Sequence, residues 1–287
     1  MWDLIWSIAC STTIFVVFKL YDTYRIHTQY AIIGNYLTAF AVGAFFFNGP
    51  EGFSGWTAKS WLLPAAALGV LFVFIFNLMA RTSQTLGVSV ASVATKMSLV
   101  IPVFLGVILY GETLGTVKIL GVGLALAAVF FASVRSGGHR LSLRSLLLPT
   151  LVFLGSGIID ASLKYLEETR VPGPEFPLFS ASVFLSAALS GLLYVWLRRR
   201  KSLPGLRPKD LLGAIALGVP NFFSVYFLLR ALQYPGLNSA SLFTLNNVAI
   251  VAVTTLLGVL LFRERLSPRN WLGVGLAVVS IILVGML

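Results

Sequence analysis

Ten runs of apolar residues, each about one bilayer crossing long and separated by short polar gaps, dominate this chain of 287 residues. A hydrocarbon core of about 30 Å takes around 20 residues of helix. The runs lie near 2–20, 28–48, 60–82, 86–110, 115–134, 143–166, 176–197, 209–232, 236–262 and 268–286. With 57% hydrophobic residues, 11% charged residues and a mean hydropathy of +0.91, the chain reads as an all-α integral membrane protein with ten transmembrane helices. In lipid, every backbone N–H and C=O must be satisfied within its own segment. The breakers at Gly69, Pro102 and Pro220 therefore predict kinks or packing points inside helices. No basic stretch precedes the opening MWDLIWSIACS, which reads as a retained first helix and not a cleaved signal.

The net charge of +11 does not point to nucleic acid, because the lysines and arginines fall in the gaps and not along one amphipathic face. Of the 21, fifteen flank the connections after helices one, three, five, seven and nine, five flank the other connections, and Lys96 lies inside a helix. By the positive-inside rule the odd connections are cytoplasmic and both termini lie outside. Cys10 is the single cysteine, which rules out a disulfide or a cysteine metal site within one chain and fits a small packing residue. His27 and His139 lie in gaps without metal-ligand spacing. There is no Walker A loop, no H-E-x-x-H and no GxSxG elbow. The expectation is no enzyme, no cofactor and no metal.

The chain also repeats itself. At an offset of 149, Gly69, Arg81, Gln84, Gly87 and Ser92 meet Gly218, Arg230, Gln233, Gly236 and Ser241. Beyond the middle of helices four and nine the offset becomes 152, pairing Glu112 with Glu264, Gly121 with Gly273 and Gly123 with Gly275, so three residues have entered helix nine. Helices one and six correspond at 145, with Ser11 opposite Ser156 and Lys19 opposite Lys164. A unit of five crossings returns on the opposite face, so residues 1–138 and 139–287 read as two inverted five-helix repeats, an arrangement that places a carrier's site at the midplane between the halves.

Each half ends in an apolar run, a Gly-Glu-Thr-Leu or Arg-Glu-Arg-Leu turn, and a glycine-bearing helix, GVGLALAAV or GVGLAVVSI. In this the chain resembles the EamA-type members of the drug/metabolite transporter superfamily over almost its whole length. The resemblance implies a central cavity, alternating access, and often export of amino acids or other small metabolites across a bacterial inner membrane. It also implies both termini inside, against the charge count. Related carriers of sugar phosphates or nucleotide sugars often have Asn-Lys in helix nine. Here Ala-Thr-Lys96-Met-Ser stands in helix four and Leu-Asn246-Asn247 in helix nine.

A lysine at mid-bilayer depth costs about 2.5 to 3.5 kcal/mol by insertion scales and should face protein or water. At 100° per residue, Thr85, Ser89, Ser92 and Lys96 form one stripe. The one acid deep in any segment is Asp160, on a face with Ser156 and Lys164. Three readings stand open. Asp160 pairs with Lys164 while Lys96 reaches carbonyls or water; or Lys96 binds an anionic part of the substrate; or Lys96 and Asp160 form a pair broken by a proton or by substrate. Helices four and nine are expected to line the site, faced by helices one, three, six and eight, with Thr244, Asn246, Asn247, Asn77, Tyr226 and Lys19 as further candidates. Lys19 and Lys164 can also snorkel to the interface, Arg81 and Arg230 suit helix ends, and the asparagines can bond between helices. Glu112 and Glu264 read as acids favouring the N-terminus of the helix that follows them, with Ser267-Pro268 as cap. The expected partners are a small-molecule substrate, the bilayer, and a proton or counter-substrate. An exchanger of anionic metabolites is the alternative carrier. A lipid flippase or a membrane scaffold is the alternative of another class.

Overall fold

The structure is a computed structural model and describes residues 2–46, 55–101, 116–133, 143–172, 175–198, 205–232 and 239–285. Among them are ten α-helices and no strand: α1 (Trp2–Thr23), α2 (Thr28–Phe46), α3 (Leu62–Leu86), α4 (Val88–Met97), α5 (Thr116–Ser133), α6 (Leu143–Thr169), α7 (Phe176–Arg198), α8 (Pro208–Leu232), α9 (Ser239–Phe262) and α10 (Pro268–Gly285). Six of them, α1, α3, α6, α7, α8 and α9, contain a stretch long and apolar enough to cross a bilayer. The helices run where the apolar runs place them, and α6 and α8 continue through Pro149 and Pro220.

The fourth crossing departs from expectation. Thr85 belongs to the last turn of α3, and Gly87, at φ 111°, separates it from α4. The four-residue stripe therefore begins at Ser89 and not at Thr85. Helix α4 stops at Met97, ten residues on, the chain turns at Ser98 and Leu99, where the Ile101 N–H bonds back three residues to the Ser98 carbonyl at 2.8 Å, and Val100 and Ile101 are helical again, so the crossing is interrupted by two residues. The sequence supplies the cause: Pro102 has no N–H, and its ring would clash with the carbonyl four residues earlier, that of Ser98. Its counterpart α9 has no proline there and runs unbroken for 24 residues. The rest of the expected fourth helix, 102–110, lies outside the described residues, as does Glu112.

Contacts at the helix ends show the inversion. The α1–α2 corner meets the start of α8, with Arg207 donating to the Arg25 carbonyl, Lys209 to the Tyr24 carbonyl, and the His27 N–H to Asp210. The same face carries the α3–α4 and α9–α10 corners, joined through Glu264. On the opposite face, Asp3 at the start of α1 pairs with Arg230 at the end of α8 at 3.4 Å. There too, Glu175, between α6 and α7, meets Lys59 and Trp61 before α3. Helix α1 thus starts on the face where α6 ends. Across the interior, α1 and α2 pack on α8, α3 on α6 and α7, α4 on α6 and α9, and α5 on α10.

Glycines set the closest approaches. A Cβ on Gly69 would lie 2.6 Å from the Ala187 backbone nitrogen, and one on its repeat partner Gly218 2.7 Å from the Asn35 carbonyl oxygen. Both are packing points, one against α7 and one against α2. In α10, Gly273 lies directly against the Ala132 backbone of α5, whereas Gly123 and Gly275 face open space, so close packing of this helix pair rests on Gly273. Gly273→Leu should therefore separate α5 from α10 and cost about 3 kcal/mol or more by overpacking, read as a lowered melting temperature in detergent. Gly275→Leu should change stability little.

Helix α10 begins with the expected cap. The Asn270 N–H bonds to Ser267 Oγ at 3.2 Å, and the Ser267 N–H bonds to Asn270 Oδ1 at 2.9 Å, a reciprocal pair on either side of Pro268. At the other face, Glu175 accepts from Lys59 Nζ and Trp61 Nε1, both at 2.6 Å. These bonds to Lys59 and Trp61 hold its carboxyl below the usual glutamate range. A carboxyl depressed in the folded state contributes stability above its unfolded pKa and loses it as pH falls through the folded value. Glu175→Gln should thus lower the melting temperature at neutral pH, and the difference from the native chain should vanish in acid.

Candidate functional site

The break in α4 places Lys96 in the last helical turn before Ser98. Eight residues of helix separate it from the helix start at Val88, about 12 Å at 1.5 Å per residue, which is near mid-bilayer depth. A helix C-terminus carries partial negative charge on its free carbonyls and so favours a cation. The side chain of Lys96 is half-buried. Among the described residues its Nζ has no hydrogen bond and no carboxylate within 4.0 Å. The charge of Asp160 is near enough to act on it.

Asp160 is held on α6, which packs against α4. Its Oδ2 lies 3.1 Å from Ser98 Oγ, and Ser98 is buried at the break. Asp160 itself is exposed. The lipid-facing side of α6 is marked by exposed Leu147, Leu154, Ile158 and Tyr165, and at 100° per residue Asp160 points about 160° away from Ile158. The carboxylate thus lies on the face of α6 turned away from that side. One turn earlier on that face, Ser156 is 5% exposed and its Oγ has no hydrogen-bond partner among the described residues. The side chain of Lys164 lies outside the described residues, as does that of Thr244.

On α9, Asn247 shares the stripe of Val251, Thr254 and Gly258, and Thr254 on that stripe meets Ser92 of α4. Asn247 is buried and makes no hydrogen bond among the described residues. Lys96, Asp160, Ser156 and Asn247 thus stand on three helices of which α4 packs against both of the others.

The remaining candidates are placed elsewhere. Ser89 and Ser92 are buried in the α4–α9 seam: Ser89 Oγ donates to Glu264 at 3.0 Å, and Ser92 Oγ and Thr254 Oγ1 are 2.7 Å apart. Asn246 accepts from Ser7 Oγ at 3.4 Å, Ser7 also reaches the Ser224 carbonyl, and Asn221 donates to Asn35 Oδ1 at 3.2 Å. These buried groups tie α1 to α8 and α9, and α2 to α8, as interhelical hydrogen bonds do. Asn77 bonds back to the Val73 carbonyl at 2.7 Å. Tyr226 stacks in a cluster with Phe46, Phe222 and Phe223, with the Arg230 guanidinium 5.8 Å from its ring centre. Lys19 does not snorkel but donates to the Gln84 carbonyl in the last turn of α3 at 2.9 Å. Glu264 sits on the N-terminus of α4 and not on that of α10, with the Val88 N–H at 2.6 Å. The expected helix-end role holds, but for a helix about 175 residues away in the chain.

Reasoning from the sequence missed Ser98 and Thr254. Serine and threonine are unremarkable in an apolar helix, and only the partner across the interface singles them out.

A bundle of apolar helices in two opposed sets, six of them with a stretch long and apolar enough to cross a bilayer, defines an integral membrane protein. Comparison with known proteins identifies it further: the model of the EamA-like transporter family matches residues 3–134 and again 143–286, and the chain belongs to that family. It is similar, at 31% identity over 284 residues, to an uncharacterized protein of Haemophilus influenzae, covering 96% of this chain and 94% of that one. A solved crystal structure shares the fold at a TM-score of 0.58 and 18% identity, over 98% of this chain and 94% of the other. The family is one of transporters and not of enzymes.

Proposed function

We propose that this protein is a secondary carrier that moves a small polar metabolite, an amino acid or related compound, out across a bacterial inner membrane by alternating access. Residues 1–138 rock against residues 139–287 around a site at the α4 break. The carrying observation is the Lys96 ammonium, without a hydrogen bond among the described residues, with the charge of Asp160 near it, inside a largely apolar bundle. A charge at this depth is costly unless a ligand or water meets it. In this reading Lys96 holds an anionic group of the substrate, Asn247 and Ser156 orient it, and Asp160 takes up a proton.

Ser98 supports the proton step. Its hydroxyl reaches both Asp160 Oδ2 and the Thr95 carbonyl, yet it has one proton to give. With Asp160 ionised, Ser98 donates to the carboxylate. With Asp160 protonated, the acid donates to Ser98, which is then free to bond Thr95 in the turn that carries Lys96. Proton uptake is in this way linked to the local structure of the α4 break.

The test is purified protein, first in a thermal-shift panel of amino acids, amines, organic acids and sugar phosphates, where a ligand that binds the folded state raises stability. Counterflow in proteoliposomes with the hits follows. Stabilisation by amino acids, with saturable counterflow, is expected. A flat panel with no counterflow would sink the reading. The Lys96 ammonium also favours a second reading, an exchanger of anionic metabolites, which predicts that inorganic phosphate and sugar phosphates compete at the site and amino acids do not.

A further inference from the structure

The two ends of the α4–α9 seam differ. Toward the face of the odd connections the seam is dry: Ser89, Ser92 and Thr254 are 2%, 0% and 0% exposed. Toward the other face, Lys96 is half-buried and Asp160 is exposed. Two polar contacts close the dry end. At the outermost turn the Glu264 carboxylate accepts from the Val88 N–H at 2.6 Å, from Ser89 Oγ at 3.0 Å and, at 3.5 Å, from the Ser89 N–H. One turn deeper, Ser92 bonds Thr254 at 2.7 Å. Val93 and Val251 pack in the apolar core below them.

The room for this carboxylate is built from both sides. A Cβ on Gly87 would stand 2.8 Å from Glu264 Oε1, and one on Gly258 2.6 Å from Glu264 Oε2 and 2.9 Å from Ser89 Oγ. Gly87 belongs to the first half and Gly258 to the second. Gly87 is also the one residue joining α3 to α4, at a φ of 111° that side chains rarely adopt. Glu264 is itself anchored, its N–H bonding back to the Gly258 carbonyl at 3.0 Å. A charged acceptor on two orphan N–H groups of a helix start makes a strong, directional contact, and this one bridges the two halves.

We propose that Glu264 is the latch of a gate. Its carboxylate on the first turn of α4 holds shut the odd-connection side of the midplane site, and the Ser92–Thr254 bond is the inner bar of the same gate. The proposal rests on the carrier reading. For the site to open on this side, α4 must part from α9, and the Val88 and Ser89 N–H groups and the carboxylate then pass into water. Both ends of the broken contact are hydrated on opening, so it can release in each cycle. Gly87 supplies the hinge.

The gate is tested in a Cys10→Ala background, in proteoliposomes. A single Ser92→Cys reporter is treated with a membrane-impermeant methanethiosulfonate, and its labelling rate reads how often the seam opens. Glu264→Gln should raise that rate about tenfold, and Ser89→Ala should raise it less. Labelling of a buried reporter away from the seam, Ala39→Cys, should not change. In a second experiment, Ser92→Cys with Thr254→Cys, replacing hydroxyls whose oxygens are 2.7 Å apart, is oxidised to a disulfide. Transport should fall at least tenfold and return with dithiothreitol. An unchanged Ser92→Cys rate, or an equal rise at Ala39→Cys, overturns the latch. A cross-linked protein that transports freely overturns the gate. Failure of the carrier reading shows differently, as absence of counterflow with the labelling response to Glu264→Gln intact.

Discussion

Replacing Lys96 by methionine should abolish tight substrate binding while leaving the protein at least as stable as before. Most site substitutions do not combine these outcomes, and the reason is electrostatic. The ammonium is half-buried, has no carboxylate within 4.0 Å among the described residues, and sits in a largely apolar bundle. Its accommodation rests on the C-terminal carbonyls of α4 and the more distant charge of Asp160. Methionine has nearly the same length, fills the same space and removes the desolvation cost. The melting temperature should stay level or rise, by an amount corresponding to about 1 to 2 kcal/mol. Loss of a charge-assisted contact to the substrate is worth about 1.5 to 3 kcal/mol, a rise in Kd of about ten- to a hundredfold. Isothermal titration with the best ligand of the thermal-shift panel measures the second quantity, and calorimetric melting the first. If affinity survives in a well-folded Lys96→Met protein, Lys96 is not a substrate contact. A strong loss of stability would instead mean that the lysine is a structural clamp.

Asp160→Asn should uncouple the carrier. The amide keeps the shape and an oxygen acceptor for Ser98, whose hydroxyl lies 3.1 Å from Oδ2, but it cannot gain or lose a proton. Exchange of substrate for substrate should continue, because it needs no net proton movement. Concentrative transport driven by a pH gradient should fall by at least tenfold, and the dependence of rate on pH should flatten. Counterflow and gradient-driven uptake in the same vesicles separate the two. Unchanged pH-dependent uptake would remove Asp160 from coupling. Ser98→Ala should give a smaller effect in the same direction, since it leaves the carboxyl in place and removes the hydroxyl that links it to the Thr95 turn. Ser98→Thr, which keeps the hydroxyl, should restore the native profile.

The sequence by itself determined the architecture. Ten apolar runs can be nothing but helices in lipid, where no other local structure satisfies the backbone, and a five-crossing repeat must invert. The family, the cap at Ser267-Pro268, and the oddity of Lys96 and Asp160 were legible for the same reason: they are local patterns or charges out of place. Partners were not legible. Helical periodicity put Ser89, Ser92 and Lys96 on one stripe, but whether a stripe faces water or a neighbouring helix depends on what lies across from it, and that neighbour is more than 160 residues away. Tertiary structure decided that Ser89 and Ser92 are sealed against Glu264 and Thr254, that Lys19 caps α3, and that Asn246 ties helices together. It also located the interruption of the fourth crossing at Ser98 and Leu99, after which Val100 and Ile101 are helical again. The Asp160–Ser98 contact and the Glu264 carboxylate on the start of α4 are both pairings across the two halves, and pairings across the halves are what a one-dimensional pattern does not carry.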